Sequence, residues 1–122
     1  GAVMAYITGK VEGHGHNWHG HVSAVTVDPE YRRCGLAKHL MHLLEDISDR
    51  HHHSYFVDLF VRKSNQIAVD MYRTLGYIVY RQIIGYYSGK DNEDAYDMRK
   101  AMPLDIKKAS MIPHNPLKVS LY

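Results

Sequence analysis

The chain has almost no cysteine, no long apolar run and no concentration of charge of one sign. Cys34 is the only cysteine among 122 residues, so no disulfide can form within the chain, which fits a reducing compartment and a cytoplasmic location. No apolar run approaches the ~20 residues of a membrane-spanning helix, and the first residues lack the features of a signal peptide. The formal charge of +2 predicts neither a nucleic-acid-binding nor a membrane-binding surface.

Histidine is the one residue type in clear excess, with ten in the chain. Four of them lie within His14–His21 and three form the run His51–His53. Three consecutive side chains cannot share one face of a helix or strand, and the first group spans a loop without a matching pattern of carboxylates. We therefore predict no metal site, and we expect the histidine clusters to be solvated.

The remaining composition is that of one compact domain, with 45% hydrophobic and 23% charged residues and no internal repeat. Alternating or short continuous apolar runs predict five strands. These strands are Ala2–Gly9, Trp18–Val27, Tyr55–Val61, Tyr77–Tyr87 and Ala95–Met102. Glycines around charged residues predict a hairpin-like loop over Lys10–Asn17, and the polar stretch Ser88–Asp94 predicts a second loop.

Apolar residues at helical spacing predict two helices between these strands. The first helix begins near Gly35 and ends at Asp49–His53, and the second begins at an N-cap, Ser64, and ends before Gly76. The first apolar stripe comprises Leu36, Leu40, Leu43, Leu44 and Ile47, and the second comprises Ala68, Met71, Tyr72 and Leu75.

The element order is therefore β-β-α-β-α-β-β, which predicts an α/β (α+β) fold. The β-α-β part requires parallel pairing and the flanking hairpins require antiparallel pairing, so we expect a mixed, twisted sheet with flanking helices. Residues 1–102 form the predicted domain. Residues 103–122 contain three prolines and no period, and we expect an extended tail, either disordered or wrapped over a partner.

The stretch Val22–Leu44 joins a strand to a helix through the sequence RRCGLA at residues 32–37. The unpaired N–H groups and partial positive charge of a first helical turn attract anions, and Arg32 and Arg33 add forked donors suited to phosphate. Gly35 permits close approach of the backbone. No Gly-Lys-Ser/Thr follows and no G-x-G-x-x-G is present, which excludes a P-loop and a dinucleotide fingerprint. From these residues alone, a diphosphate-binding site and simple tight packing are equally good interpretations.

Arg32-x-x-Gly35-x-Ala37 after a strand resembles motif A of the GNAT superfamily of acetyl-CoA-dependent N-acetyltransferases, and Ser64–Tyr77 resembles its motif B helix. Matches to WHGHV, FVDLFVR, YY and EDAYDMRKA narrow the resemblance to catalytic subunits of NatB-type N-terminal acetyltransferases, from about Met4 to about Ala101. Those subunits begin with a further strand and two helices that have no counterpart here. We therefore expect a GNAT-like sheet that is partial at its N-terminus.

The resemblance implies acetyl transfer from acetyl-CoA to the α-amine of nascent polypeptide N-termini that begin Met-Asp, Met-Glu, Met-Asn or Met-Gln. It also implies a helical-repeat auxiliary subunit of the NatB complex and ribosome association, without direct binding of nucleic acid or membrane. Two alternatives remain open: a GNAT enzyme acting on lysine or a small amine, and a catalytically incomplete fragment that binds the coenzyme.

Coenzyme-binding residues follow from the same resemblance. Val25 and Val27 would hold the pantetheine arm, with the Val27 N–H polarising the acetyl carbonyl. Asn65 would contact the arm, and Tyr72 would lie near the sulfur as general acid for the leaving thiolate. The diphosphate would be bound by Arg32, Arg33, Gly35, Leu36 and Ala37. Cys34 lies at this diphosphate end with no flanking base, and we do not expect it to carry an acyl group.

On the acceptor side, the resemblance suggests His21 as the base that acts on the amine, directly or through water. An ordinary half-buried strand histidine is an equally good interpretation of His21, and a core aromatic is the alternative for Tyr72. Tyr86 and Tyr87 would contact the substrate's N-terminal backbone, or else pack on an edge strand. Phe60 stands where some relatives carry a second basic histidine.

Overall fold

The structure, a computed structural model, describes residues 5–28, 35–89 and 92–120. Two helices and six strands make up its main elements, with short 3-10 turns at Gly15–Asn17 and Ala109–Met111. The helices are α1 (Leu36–Arg50) and α2 (Gln66–Thr74), and the strands are β1 (Ala5–Glu12), β2 (His19–Val27), β3 (Phe56–Arg62), β4 (Ile78–Tyr87), β5 (Glu93–Ala101) and β6 (Lys118–Val119). The predicted order of the first seven elements is confirmed.

The six strands form one mixed sheet in the order β1-β2-β3-β5-β4-β6. β1 and β2 pair antiparallel, β2 and β3 pair parallel, and β5 pairs antiparallel with both β3 and β4. The carboxyl ends of β2 and β3 therefore lie at the same edge of the sheet. In α/β sheets this is the edge at which ligands bind.

Both helices pack on one face of this sheet. Met41 of α1 and Val69 of α2 are buried in the same apolar cluster as Val57 and Leu59 of β3. Because successive strand residues point to opposite faces, His21 and its register partner Asp58 lie on the face away from the helices. The sheet thus has one apolar, helix-covered face and one face with charged side chains.

The apolar stripe predicted for α1 is confirmed at Leu44, which packs against the apolar cluster, but it is wrong at Leu43 and Ile47. Leu43 and Ile47 are about half exposed, whereas Met41, Glu45 and Ser48 are buried. A side chain at Gly20 of β2 would collide with the Ser48 Oγ, so small residues set the closest approach of helix and sheet. Glu45 can be buried because it accepts hydrogen bonds from the Tyr77 hydroxyl at 2.7 Å and the Lys100 Nζ at 2.9 Å.

Several predicted boundaries also change. β1 continues to Glu12, so the loop that follows is shorter than predicted, and β5 begins at Glu93. The N-cap of α2 is Asn65, whose Oδ1 accepts a hydrogen bond from the Ala68 N–H at 3.3 Å. Ser64 does not cap this helix, and its own N–H donates to Glu93 Oε1 at 2.8 Å. Gly76 follows the C-cap with φ +101°, in agreement with its predicted position.

Residues 103–120 fold back on the chain's own sheet, which corrects the expectation of a disordered tail. The tail contributes β6, which pairs parallel with β4. The Gln82 N–H donates to Leu117 O, and the His114 N–H donates to Tyr80 O, both at 2.8 Å. The physical reason is that the outer edge of β4 offers backbone groups that the tail can pair.

Within the described ranges, neither helix is long and apolar enough to cross a membrane.

Candidate active site

β2 and β3 separate at the edge of the sheet where both strands end. Their parallel ladder extends only from His19–Phe56 to Val22–Leu59, although β2 continues to Val27 and β3 to Arg62. Beyond Val22 and Leu59 the two strands are no longer paired with each other. We call this opening the β2–β3 wedge.

A β-bulge in β2 accounts for the separation. On β1, Thr8 and Gly9 are consecutive, but they pair with Ala24 and Val22, which leaves Ser23 as an extra residue in β2. Such a residue bends its strand and increases the local twist. Val22 and Val25 both contact the apolar cluster although they are three positions apart, as expected when one additional residue interrupts the alternation.

Each strand of the β2–β3 wedge leads into a helix, α1 after β2 and α2 after β3. Gly35 is the N-cap of α1 with φ +71°, a conformation that favours glycine, and a side chain there would meet none of the described atoms within 4 Å. Leu36 and Ala37 form the first turn, so their N–H groups are available to an anion. Asn65, the N-cap of α2, follows the end of β3 by three residues. Arg32, Arg33 and Cys34 lie outside the described residues, so their predicted positions are not described.

Tyr72 lies on the buried side of α2. Its ring centroid is 6.0 Å from that of Tyr77 in an edge-to-face arrangement. Burial raises the pKa of the Tyr72 hydroxyl above its ordinary value, and the nearby Tyr87 adds to the increase. The hydroxyl therefore stays protonated at neutral pH, which is required of a proton donor and equally compatible with a core aromatic.

His21 is the sequence-predicted base, and its partner is Asp58. The His21 Nδ1–H donates to Asp58 Oδ1 at 2.7 Å. The pKa of His21 is raised, first by this hydrogen bond and further by the negative charges of Asp58 and Glu12, while burial and Lys10 oppose the increase.

A continuous series of ring contacts connects His21 to the predicted substrate-binding tyrosines. The His21 and Phe60 centroids are 5.3 Å apart, those of Phe60 and Tyr86 are 5.0 Å apart, and those of Tyr86 and Tyr87 are 5.1 Å apart. The Arg62 guanidinium carbon lies 4.1 Å from the Tyr87 centroid. The structure thus brings His21, Tyr86 and Tyr87 into one aromatic group, with Phe60 between the imidazole and the first tyrosine.

Sequence reasoning missed Asp58 and its second neighbour, His19. The His19 Nε2 lies 3.6 Å from Asp58 Oδ1 and 3.4 Å from Glu12 Oε1. The available signal was a carboxylate inside the otherwise apolar run at Phe56–Val61, since a buried charge requires a partner. Among the described residues, no group of three or more His, Cys, Asp or Glu side chains is arranged to hold a metal ion.

Comparisons with known proteins agree on one family. The sequence profile of the acetyltransferase (GNAT) family matches residues 1–77. The chain is 61% identical over 113 residues to N-alpha-acetyltransferase 20 of Dictyostelium discoideum, covering 93% of this chain and 64% of the relative. It is 64% identical over 111 residues to the N-terminal acetyltransferase B complex catalytic subunit NAA20 of Arabidopsis thaliana, covering 91% and 63% respectively. The chain therefore spans just under two thirds of these relatives.

A solved structure extends the similarity to the fold. The crystal structure of Chaetomium thermophilum Naa20 in complex with a bisubstrate analogue superimposes with a TM-score of 0.88 at 39% identity. The match covers 98% of this chain and 71% of that one, so it includes the tail as well as the sheet.

Proposed function

This chain belongs to the acetyltransferase (GNAT) family, and from that premise we propose that it transfers acetyl from acetyl-CoA to protein N-termini. The acceptors would be α-amines of chains that begin Met-Asp, Met-Glu, Met-Asn or Met-Gln. The chain would act as the catalytic subunit of a NatB-type complex, since its relative from Arabidopsis thaliana carries that description. Residues 1–102 would carry the coenzyme-binding domain, and residues 103–122 the C-terminal tail.

The observation that carries the proposal is the β2–β3 wedge, each of whose strands leads into a helix. An opening between two strands can admit a thin, extended coenzyme arm, and Val25 and Val27 lie in the part of β2 that continues beyond its pairing with β3. An anionic diphosphate needs N–H donors, which the first turn of α1 supplies. Gly35 keeps that turn accessible, and Arg32 and Arg33 precede it directly in the sequence.

The chemistry requires a proton acceptor for the amine and a proton donor for the leaving sulfur. A free α-ammonium has a pKa of about 7.7–8.0, so only mild base assistance is needed near neutral pH. A raised pKa brings His21 closer to that range. The protonated Tyr72 hydroxyl would donate to the sulfur, and the Val27 N–H would polarise the acetyl carbonyl.

Tyr86 and Tyr87 would bind the N-terminal backbone of the acceptor. They follow His21 in the series of ring contacts, which supports a substrate position beside the imidazole. The partners would be nascent chains and the helical-repeat auxiliary subunit of the complex. Ribosome association and a cytoplasmic location are part of the same proposal.

A peptide panel tests the proposal. The chain, alone and with its auxiliary subunit, would be incubated with acetyl-CoA and a Met-Asp peptide, a matched Ser-Asp peptide, and an N-terminally blocked peptide with an internal lysine. We expect acetylation of the free Met-Asp α-amine above both comparison peptides. Acetylation of the internal lysine alone would overturn the proposal, and binding of acetyl-CoA without turnover in either preparation would support a coenzyme-binding fragment.

A further inference from the structure

Asp58 is a buried carboxylate within an apolar strand. Its side chain is on β3 between Val57 and Leu59, which face the apolar cluster, and the residue is only 4% exposed. A carboxylate in this position loses most of its hydration, so it has to be satisfied by hydrogen bonds or by opposite charge. The proposed mechanism gives Asp58 no role.

The close partner of this carboxylate is the His21 imidazole. Asp58 and His21 are direct register partners in the parallel ladder of β2 and β3, so backbone pairing fixes their separation before the side chains interact. Their 2.7 Å contact joins Asp58 Oδ1 to His21 Nδ1. An ionised carboxylate only accepts hydrogen bonds, so the proton of the neutral imidazole is on Nδ1. The Nε2 atom then keeps its lone pair and points away from Asp58.

Other groups near His21 are placed less favourably than Asp58 to determine its tautomer. Glu12 and Lys10 extend from β1, and within the described part of the chain neither forms a side-chain hydrogen bond with His21. His19 lies 3.6 Å from the same Asp58 oxygen, but its Nδ1–H donates to the Asn17 carbonyl. Phe60 contacts the His21 ring only through its aromatic edge. The tautomer of His21 is therefore set by Asp58.

We infer that Asp58 is the positioning residue of this site, holding His21 in the tautomer whose Nε2 can accept a proton from the acceptor amine. The inference rests on the proposed function for the identity of the amine. The arrangement of the His21 and Asp58 side chains is independent of that function. In the transfer step the amine proton moves to His21 Nε2, and the imidazolium that forms keeps its Nδ1–H on Asp58. Asp58 stabilises that cation without itself taking the proton.

The first measurement is the protonation state of His21 in the unaltered 122-residue chain, by ¹⁵N and ¹H NMR of the imidazoles. We expect the neutral ring to carry its proton on Nδ1, with a downfield proton resonance from the bond to Asp58. A neutral His21 protonated on Nε2 would overturn the inference. This measurement requires neither a variant nor activity.

The second measurement compares Asp58→Asn with Glu12→Gln, which removes a nearby negative charge without removing a hydrogen bond to His21. In Asp58→Asn we expect a lower His21 pKa, a switch toward the Nε2–H tautomer and a drop of about 10-fold or more in kcat. The lower limb of the pH–rate profile should move to lower pH with the His21 pKa. Glu12→Gln should lower the His21 pKa by less and leave the tautomer unchanged.

Equal His21 pKa and tautomer in a folded Asp58→Asn chain and in the unaltered chain would contradict the positioning role. If no peptide is acetylated by any preparation, the proposed function fails, while the NMR results still decide the role of Asp58. If peptides are acetylated but Asp58→Asn retains the kcat and the pH profile, only the positioning inference fails.

Discussion

Asp58 and Leu59 are neighbours on β3 that belong to different parts of the molecule. Leu59 faces the helices and is part of the apolar cluster that holds α1 and α2 on the sheet. Asp58 faces the opposite side, where it bonds to His21. The same alternation holds on β2, where Val22 is buried in the cluster and His21 is not. On these two paired strands, one set of alternate residues stabilises the fold and the other carries the proposed chemistry.

The largest expected effect is on the charged face. His21→Gln should reduce acetyl transfer by about 10²–10⁴-fold, the usual contribution of a general base, because the amide cannot accept the amine proton. Glutamine can still donate a hydrogen bond to Asp58, so the free energy of unfolding should change less than the rate. His51→Gln is the matched control, since His51 is exposed at the opposite end of α1 from the wedge, and it should retain full activity.

His21→Gln should also change how the free energy of unfolding depends on pH. The folded-state pKa of His21 is raised, so its pairing with Asp58 stabilises the fold fully below the unfolded histidine pKa of about 6.5. That contribution is lost as the pH increases through the folded-state pKa. Urea titrations of the unaltered chain and His21→Gln should therefore differ most at acidic pH and converge at alkaline pH. A difference that grows with pH would contradict the ion pair.

On the apolar face, we expect a substitution to lower the free energy of unfolding. Leu59→Ala should lower the free energy of unfolding by about 2–5 kcal/mol, because it leaves a cavity where a 2% exposed side chain was packed. Ile67→Ala is the control, since Ile67 is 87% exposed on α2 and should change stability by about 0.5 kcal/mol or less. Equal losses in the two variants, measured by urea denaturation, would show that the cluster is not the stabilising core.

The smallest expected effect is at Asn65, the N-cap of α2. Asn65→Ala should lower the free energy of unfolding by about 0.5–2 kcal/mol through loss of the N-cap, whereas Asn65→Asp should retain the cap. Calorimetry with acetyl-CoA then separates the two roles of this residue. Weaker binding in both variants supports a contact from the side-chain amide, and weaker binding in Asn65→Ala alone reduces Asn65 to a capping residue.

The sequence predicted those features that depend on local periodicity. The seven-element order followed from apolar spacing, and Gly76 from the geometry of a helix end. The rotation of α1 was not predictable in this way, because it depends on the approach of Ser48 to Gly20 on another strand. β6 has only two residues and forms because β4 offers a free edge.

In the candidate site, too, features set by local sequence were predictable and features set by contacts between distant residues were not. The residues assigned to the coenzyme fall in two short segments of the sequence, residues 25–37 and 65–72, so local motifs could indicate them. The pairing of His21 with Asp58 joins residues that are 37 positions apart, and it depends on the register of a parallel ladder that the sequence does not specify. Similarly, the bulge at Ser23 has no signature in β2 itself and is visible only against β1.

Binding of acetyl-CoA to this chain, mapped by backbone amide NMR, tests the central claim most directly. We expect the largest shifts along the β2–β3 wedge and the adjoining helix starts, at Val25, Val27, Leu36, Ala37 and Asn65, with little change in β6. Shifts confined to the tail side of the sheet, or no shifts at millimolar acetyl-CoA, would contradict a coenzyme site between β2 and β3.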